Sequence, residues 1–310
     1  MKSNVLSLPC CYFPTRIVMV DDNETLTQSL KLHLNFESQN FNDPLKALNY
    51  LSNYTPTVTE QYWLLPENES DLCDGAFIQP LYIDTGEIRS LQHDPDKYQD
   101  ISVVIMDYHM PALTGLEVLS RLSDKPFKTI LLTGEGDHAL AVKAFNQGQI
   151  DYFLRKDEEN LSEKLNQIIK QLQFEYFSNM GKRSRELLSW DYPLLSDQKT
   201  CEYFYNKIQE NNIKEFYLMN LWGNYLLIDQ ERQKHYFCAY TQEQLNTIAE
   251  NAHEANAEEK IINELTTGKK IPFFGENMPY WKVDGKNWNQ YLFNPDIIKT
   301  NQGDVFVGLR

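Results

Sequence analysis

The chain has 310 residues, a formal net charge of −15 and a hydrophobic content of 42%. This length suits one large or two ordinary domains, and we predict two. The negative charge argues against a protein that coats nucleic acid or anionic membranes, because those partners require a positive surface. We predict a cytoplasmic protein, since no apolar run approaches the ~20 residues of a membrane span and the N-terminus lacks a secretory signal pattern.

The first half of the sequence alternates short apolar segments with helical patterns. The segment RIVMV (16–20) is rich in β-branched residues, and acidic residues and then a helical spacing follow it. The same pattern predicts four further strands, at 38–41, 101–106, 128–133 and 150–154. Strands that alternate with helices indicate an α/β doubly wound domain with a five-stranded parallel sheet, which we assign to residues 1–157.

One interval, residues 54–100, interrupts this alternation. From 53 to 100 the chain carries ten acidic residues against two basic ones, together with several prolines. We interpret the interval as an acidic insertion before the third strand, and we expect part of it to be ordered. Within it, the sequence predicts a hairpin that turns at Asp84-Thr85-Gly86.

The remainder of the chain has a different pattern. Residues 158–190 are predicted to form a long helix and a linker, with apolar residues on one face of the helix at 161, 165, 168, 172 and 176 and the helix ending around Met180-Gly181. In residues 191–310, strand-like segments follow one another across short turns and are flanked by helical patterns. This arrangement predicts a second, α+β domain with antiparallel strands.

Polar side chains follow the ends of the predicted parallel strands. Asp21 and Asp22 end the first strand, Asp107 ends the third, Thr133 ends the fourth, and Lys156 follows the fifth. Because the loops at the carboxyl ends of parallel strands gather at one edge of the sheet, we expect these groups to converge. Three carboxylates in one crevice repel one another unless a cation lies among them, and oxygen ligands suit Mg²⁺. The sequence therefore predicts a magnesium site.

The same groups suit phosphoryl transfer. A carboxylate such as Asp107 can attack a phosphoryl group and form a covalent intermediate. The Lys156 ammonium, the Thr133 hydroxyl and the backbone N–H of Gly134 can each stabilise the charged phosphoryl oxygens. A lone aspartate at a strand end is usually a turn or cap residue, so this interpretation depends on the whole set.

The ordered set, with the motif DYHMPALTG (107–115) after the third strand, resembles the receiver domain of two-component response regulators. The resemblance covers about residues 14–175 without the insertion, and it implies a flavodoxin-like fold. In one departure, Asp157 follows Lys156 where the family usually has proline. The overall layout, with the acceptor beyond residue 100, is similar to that of quorum-sensing response regulators.

The resemblance implies a role for each residue of the set. Asp107 would be the phosphoacceptor and a metal ligand, Asp22 would bind Mg²⁺ directly, and Asp21 would bind it through water. The other implied roles are metal binding by the backbone carbonyl of His109, binding of phosphoryl oxygens by Thr133, Gly134 and Lys156, a switch aromatic at Phe153, and tuning of hydrolysis by His109 and Glu135.

The resemblance also implies partners. The phosphoryl donor would be a sensor histidine kinase or a phosphotransfer protein, and the phosphorylated chain is expected to form a homodimer. The implied chemistry is limited to the receiver's own phosphorylation and dephosphorylation. The expected outcome is control of gene expression.

Residues 191–310 leave the output activity open. They show neither a basic recognition helix nor a cyclic-dinucleotide signature. Carboxylates and lysines near 229–234, 282–284 and 296 leave a metal-dependent nuclease or phosphodiesterase as one alternative. Nucleic-acid binding is a further alternative that the net charge does not support. The many aromatic residues also fit a module that binds a protein or a small ligand.

Overall fold

The computed structural model describes residues 8–66, 81–134, 136–191, 193–276 and 282–310. Contacts divide the chain into two units that do not follow chain order. The parallel-sheet unit comprises Phe13–Thr59 and Asp94–Met180, and the antiparallel-sheet unit comprises the residues up to Tyr12, Glu60–His93 and Gly181–Arg310. The chain therefore passes between the units after residues 12, 59, 93 and 180.

The described residues form fifteen strands and ten α-helices. In chain order, the strands are β1 (Cys11–Tyr12), β2 (Arg16–Val20), β3 (Ser38–Phe41), β4 (Leu64–Pro66), β5 (Leu81–Ile83), β6 (Ile101–Asp107), β7 (Lys128–Thr133), β8 (Tyr152–Arg155), β9 (Ile213–Leu218), β10 (Tyr225–Asp229), β11 (Lys234–Thr241), β12 (Ile271–Pro272), β13 (Leu292–Phe293), β14 (Asp296–Thr300) and β15 (Gly303–Leu309). The helices are α1 (Glu24–His33), α2 (Pro44–Ser52), α3 (Thr85–Ser90), α4 (Gly115–Ser120), α5 (His138–Asn146), α6 (Leu161–Met180), α7 (Lys182–Asp191), α8 (Gln198–Glu210), α9 (Gln242–Glu254) and α10 (Glu259–Thr266).

The parallel-sheet unit contains a five-stranded sheet in the order β3-β2-β6-β7-β8, with every neighbouring pair parallel. This strand order is that of the flavodoxin-like doubly wound fold, so the predicted fold class is confirmed. All seven residues of β6 are buried, as expected for a central strand covered on both faces. One face packs against α2, α4 and α5, and the other packs against α1 and α6.

The segment predicted as a long helix followed by a linker contains two helices, and the first ends where the sequence predicts. The predicted apolar face of α6 is buried, and its residues from Leu161 to Leu172 pack against the parallel sheet. The helix ends at Met180, where the parallel-sheet unit also ends, and α7 begins at Lys182 in the other unit.

The antiparallel-sheet unit is built on a six-stranded sheet in the order β1-β9-β10-β11-β15-β14. Its neighbouring strands are all antiparallel, which confirms the predicted class of the C-terminal region. The edge strand β1 comes from the N-terminus, where Cys11 pairs with Tyr217. Buried residues of α9 and α10 pack against β11 and β15 in one core that includes Trp288.

The acidic interval contributes ordered elements to the antiparallel-sheet unit. The predicted hairpin at Asp84-Thr85-Gly86 is wrong, because Asp84 is the N-cap of α3 and its side chain accepts a hydrogen bond from the Gly86 N–H at 2.8 Å. An aspartate before a small polar residue suits a helix N-cap as well as a turn, so the local sequence is ambiguous. Nearby, β4 and β5 pair in antiparallel fashion, and residues 67–80, which lie between them in sequence, are outside the described part of the chain.

Trp63 anchors this interval within the antiparallel-sheet unit. Its side chain is buried, and its Nε1 donates a hydrogen bond to the Ser184 hydroxyl at 3.0 Å. The Glu60 carboxylate accepts from both the backbone N–H and the hydroxyl of Ser184, at 2.6 and 2.7 Å. These contacts fix the start of the interval to the first turn of α7.

Among the described residues, every helix is too short or too polar to cross a membrane.

Candidate functional site

Four polar groups meet at the carboxyl edge of the parallel sheet. The Lys156 ammonium lies 2.7 Å from Oδ2 of Asp21 and 2.9 Å from Oδ1 of Asp107. Asp21, Asp22 and Asp107 each offer a carboxylate oxygen, and these oxygens all lie within 4.8 Å of one another. The structure thus brings the predicted acid cluster and the lysine together.

The loop after β2 gives the two neighbouring aspartates different environments. Oδ1 of Asp21 accepts a hydrogen bond from the Asn23 N–H at 2.9 Å, and Asn23 in turn caps α1 through Leu26. Asp21 is buried and Asp22 is exposed. This tight turn therefore fixes Asp21 inside the site, while the Asp22 carboxylate remains accessible to water.

Burial and charge shift the pKa values of the central pair. Burial raises the pKa of Asp107, and the charge of Asp21 raises it further, against the opposing effects of Lys156 and the His109 backbone N–H. Burial alone would lower the pKa of Lys156, but its hydrogen bonds to Asp21 and Asp107 outweigh burial and raise it. Lys156 is therefore a fixed cation between two acids.

The donor set fits Mg²⁺. Three carboxylates face one ammonium, so the ionised cluster keeps an excess of negative charge that a divalent cation would neutralise. The donors are oxygen atoms, and the exposure of Asp22 allows a bound ion to keep water molecules, as Mg²⁺ prefers.

Thr133 ends β7 beside this cluster. Its hydroxyl donates to the backbone carbonyl of Leu154 on β8 at 3.3 Å, and its own carbonyl accepts from the Lys156 N–H at 2.9 Å. The predicted switch aromatic, Phe153, is half-buried on β8 and lies against the rings of His138 and Phe145, with centroids 5.6 and 6.0 Å away. Glu135 lies outside the described residues.

The loop after β6 is held close to Asp107 by α4. The Gly115 N–H donates to the Tyr108 carbonyl at 2.9 Å, and Thr114 and Glu117 form a capping box at the start of the helix. A Cβ atom at Gly115 would collide with the carbonyl oxygen of Asp107, so the motif needs glycine at this position.

Two loops at this edge make a contact that the sequence did not predict. Nε2 of His109 lies 2.8 Å from Oδ2 of Asp137, which precedes α5. Both residues follow strands that the sequence predicts, but their pairing depends on the register of β6 and β7. At the departure from the family pattern, the Asp157 carboxylate pairs with Arg155, and the peptide bond after Lys156 is trans.

The carboxylates noted in residues 191–310 have structural roles. Asp229 accepts hydrogen bonds from the backbone of Glu231 and Gln233 and contacts His235. Asp284 caps a 3₁₀-helix (Gly285–Tyr291), and Asp296 accepts from the Tyr203 hydroxyl. Within the described ranges, the one group of acidic, histidine or cysteine side chains close enough to share a metal ion is Asp21, Asp22 and Asp107. The metal-dependent nuclease alternative thus gains no support from the described residues.

Comparisons with protein families and curated proteins each match a part of the chain. The family model described as "Response regulator receiver domain" matches residues 89–169. The transcriptional regulatory protein FixJ of Bradyrhizobium diazoefficiens is 38% identical over 72 residues, which cover 22% of this chain and 35% of FixJ. The chain thus spans about a third of the length of that curated relative.

A solved structure extends the similarity to nearly the whole chain. The response regulator LqsR of Legionella pneumophila superposes with a TM-score of 0.76 at 25% identity, covering 98% of this chain and 89% of LqsR. The predicted resemblance to response regulators is confirmed by these matches. Residues 89–169 therefore match the receiver domain of response regulators, and the parallel-sheet unit around them has the fold predicted for such a domain.

Proposed function

We propose that Asp107 accepts a phosphoryl group from a sensor histidine kinase or a phosphotransfer protein. The observation that carries this proposal is the buried Asp107 carboxylate, held by the Lys156 ammonium at 2.9 Å beside two further aspartates. A receiver domain acts with such a donor, and the described chain concentrates its acidic cluster at this one edge.

In the proposed reaction, a carboxylate oxygen of Asp107 attacks the phosphorus of a phosphohistidine. The new O–P bond forms as the N–P bond breaks, and the imidazole leaves with the electron pair. We assign the Lys156 ammonium, the Thr133 hydroxyl and the Gly134 N–H to the phosphoryl oxygens. Asp21, Asp22, Asp107 and the His109 carbonyl would hold Mg²⁺, which supplies positive charge at the phosphoryl group when bound.

The signal would leave the site through β7 and β8. The Thr133 hydroxyl donates to the Leu154 carbonyl, and a phosphoryl group on Asp107 would compete for that hydroxyl. Phe153 adjoins Leu154 and is half-buried between aromatic rings, so a shift of β8 changes how much of the ring is exposed. We propose that this change promotes a homodimer and alters the output, with His109 and Glu135 tuning hydrolysis.

We propose control of gene expression as the output of the antiparallel-sheet unit. FixJ is named as a transcriptional regulatory protein, and it matches 72 residues of the chain. The layout resemblance to quorum-sensing response regulators adds quorum sensing as the proposed process. Direct binding of nucleic acid finds no support in the net charge of −15.

Incubation of the full chain with acetyl phosphate and Mg²⁺ tests the proposal. We expect the intact mass to rise by one phosphoryl group, because a small phosphodonor replaces the partner protein. Asp107→Asn should abolish the gain, since an amide is a poor nucleophile. A chelator should abolish it as well, since it removes the cation that neutralises the site.

Asp43→Asn is the matched control. Asp43 caps α2 in the same unit through the Leu45 and Lys46 N–H groups, and asparagine caps equally well. This variant should gain the same mass as the wild type. An undiminished gain in Asp107→Asn would place phosphorylation elsewhere and refute the proposal. Sedimentation with and without beryllofluoride then tests whether the modified chain forms a homodimer.

A further inference from the structure

Asp137 occupies the N-cap position of α5 but directs its carboxylate elsewhere. An aspartate at this position ordinarily accepts a hydrogen bond from the first turn of its own helix. Within the described residues, the Asp137 side chain makes no such cap, and Oδ2 lies 2.8 Å from Nε2 of His109 instead. The Asp137 side chain is only 12% exposed. The Asp137 carboxylate therefore contacts the neighbouring loop and does not cap its own helix.

His109 connects this contact to the phosphoacceptor. It lies two residues after Asp107, and its backbone N–H donates a hydrogen bond to the Asp107 carboxylate. The Asp137 carboxylate thus restrains the imidazole of the residue whose backbone orients Asp107. We call the contact between the His109 and Asp137 side chains the loop bridge.

The loop bridge joins the loops that follow two adjacent strands. His109 belongs to the loop after β6, and Asp137 belongs to the loop after β7, next to Gly134. Oδ2 of Asp137 is 3.6 Å from the position of a Cβ atom at Gly134, whose N–H is assigned to the phosphoryl group. The loop bridge therefore ties the loop that carries His109, next to Asp107, to the loop that carries the N–H of Gly134.

We propose that Asp137 is a positioning residue that acts through His109 to lengthen the lifetime of the phosphoryl group on Asp107. This inference rests on the proposed phosphorylation of Asp107. In hydrolysis, a water oxygen forms a bond to phosphorus, the bond between phosphorus and the Asp107 oxygen breaks, and the carboxylate, inorganic phosphate and a proton are released. The loop bridge slows this step by restraining the two loops and keeping water from the phosphorus.

The contact does not require a charged imidazole. A neutral ring with the proton on Nε2 donates to the Asp137 carboxylate, and a protonated ring adds an ionic attraction. The His109 side chain is 69% exposed, and ion pairs with an exposed partner contribute little free energy. We therefore expect a modest effect, with the lifetime shortened about two- to fivefold when the contact is lost.

The decay of the phosphorylated full chain tests the inference. The wild type, Asp137→Ala, His109→Ala and the double variant are phosphorylated with acetyl phosphate and Mg²⁺, the donor is removed, and the remaining aspartyl phosphate is followed by intact mass. Each single variant should decay about two- to fivefold faster than the wild type. The double variant should decay no faster than His109→Ala, because Asp137 acts through that side chain.

Asp137→Asn separates the contact from the overall charge. Its amide oxygen still accepts a hydrogen bond from His109, so most of the wild-type lifetime should be retained. Asp43→Asn removes the same charge at another helix N-cap of this unit and should leave the lifetime unchanged.

Two results would overturn this inference but leave the proposed function intact. One is a lifetime of the aspartyl phosphate in Asp137→Ala that equals that of the wild type. The other is that Asp137→Ala accelerates decay in the His109→Ala background as much as it does in the wild-type chain. If Asp137→Ala does not fold, a lifetime in His109→Ala equal to that of the wild type overturns the inference in the same way. A wild-type chain that takes up no phosphoryl group would instead overturn the proposed function, and this inference with it.

Discussion

Replacement of Gly115 by alanine is expected to reduce the rate of phosphorylation of Asp107 by about 100-fold. The added Cβ would collide with the Asp107 carbonyl oxygen, and it would lie 2.8 Å from Cγ of Met106. The first of these neighbours is a backbone atom of the proposed phosphoacceptor itself, so relief requires movement of Asp107 or of α4. A displacement of about 1 Å at a reacting group costs about two orders of magnitude in rate, and overpacking costs about 1–3 kcal/mol of stability.

Gly136→Ala provides the control for this prediction. A Cβ atom at Gly136 would meet nothing within 4 Å, although this residue also lies in a loop at the same edge of the sheet. Phosphorylation by acetyl phosphate should proceed in Gly136→Ala at the wild-type rate. Equal rates in Gly115→Ala and the wild type would show that the loop after β6 can move without displacing the carboxylate.

Replacement of Trp63 by alanine is expected to lower the free energy of unfolding of the antiparallel-sheet unit by about 3–5 kcal/mol. The indole is fully buried, and its Nε1 donates to the Ser184 hydroxyl. Truncation leaves a cavity and removes that hydrogen bond, so the link between the start of the acidic interval and α7 is weakened. Denaturant unfolding followed by circular dichroism measures the effect, with the two units free to unfold in separate transitions.

Tyr62→Ala is the neighbouring control. Tyr62 is 54% exposed, so its truncation should change the unfolding free energy by about 0.5 kcal/mol or less. A similarly small effect for Trp63→Ala would mean that Glu60–His93 contributes little to the stability of the unit. The same contacts predict that a fragment of residues 191–310 is unstable alone, because it lacks β1, Trp63 and Ser184.

The sequence was sufficient to predict the parallel sheet and the grouping of polar residues at its edge. The strands are short, apolar and separated by helical patterns, so each is recognisable locally. The position of Asp21, Asp107 and Lys156 then follows from a general property of parallel sheets, that the carboxyl ends of the strands share one edge. The buried face of α6 is likewise predictable from its spacing, because helical periodicity is a local signal.

Long-range pairings could not be predicted in this way. Cys11 and Tyr217 are partners across some two hundred residues, and nothing in the two-residue strand β1 indicates β9. The acidic interval resembles an insertion into the receiver because it interrupts the receiver in sequence, whereas Trp63 and Ser184 place it in the other unit. The pairing of His109 with Asp137 depends on side-chain direction at two loops, which sequence spacing does not specify.

The interleaved path of the chain has a consequence for synthesis on the ribosome. The parallel-sheet unit is complete in sequence at Met180, so it can fold while the 130 residues that follow are still being translated. The antiparallel sheet cannot close until β14 and β15, the last of its strands to be made, have emerged. Residues 8–12 leave the exit tunnel long before β9, so β1 has no pairing partner until β9 is synthesised. By then the parallel-sheet unit, which follows β1 in sequence, can already be folded. Translation itself thus imposes an order in which the parallel-sheet unit exists before the antiparallel-sheet unit.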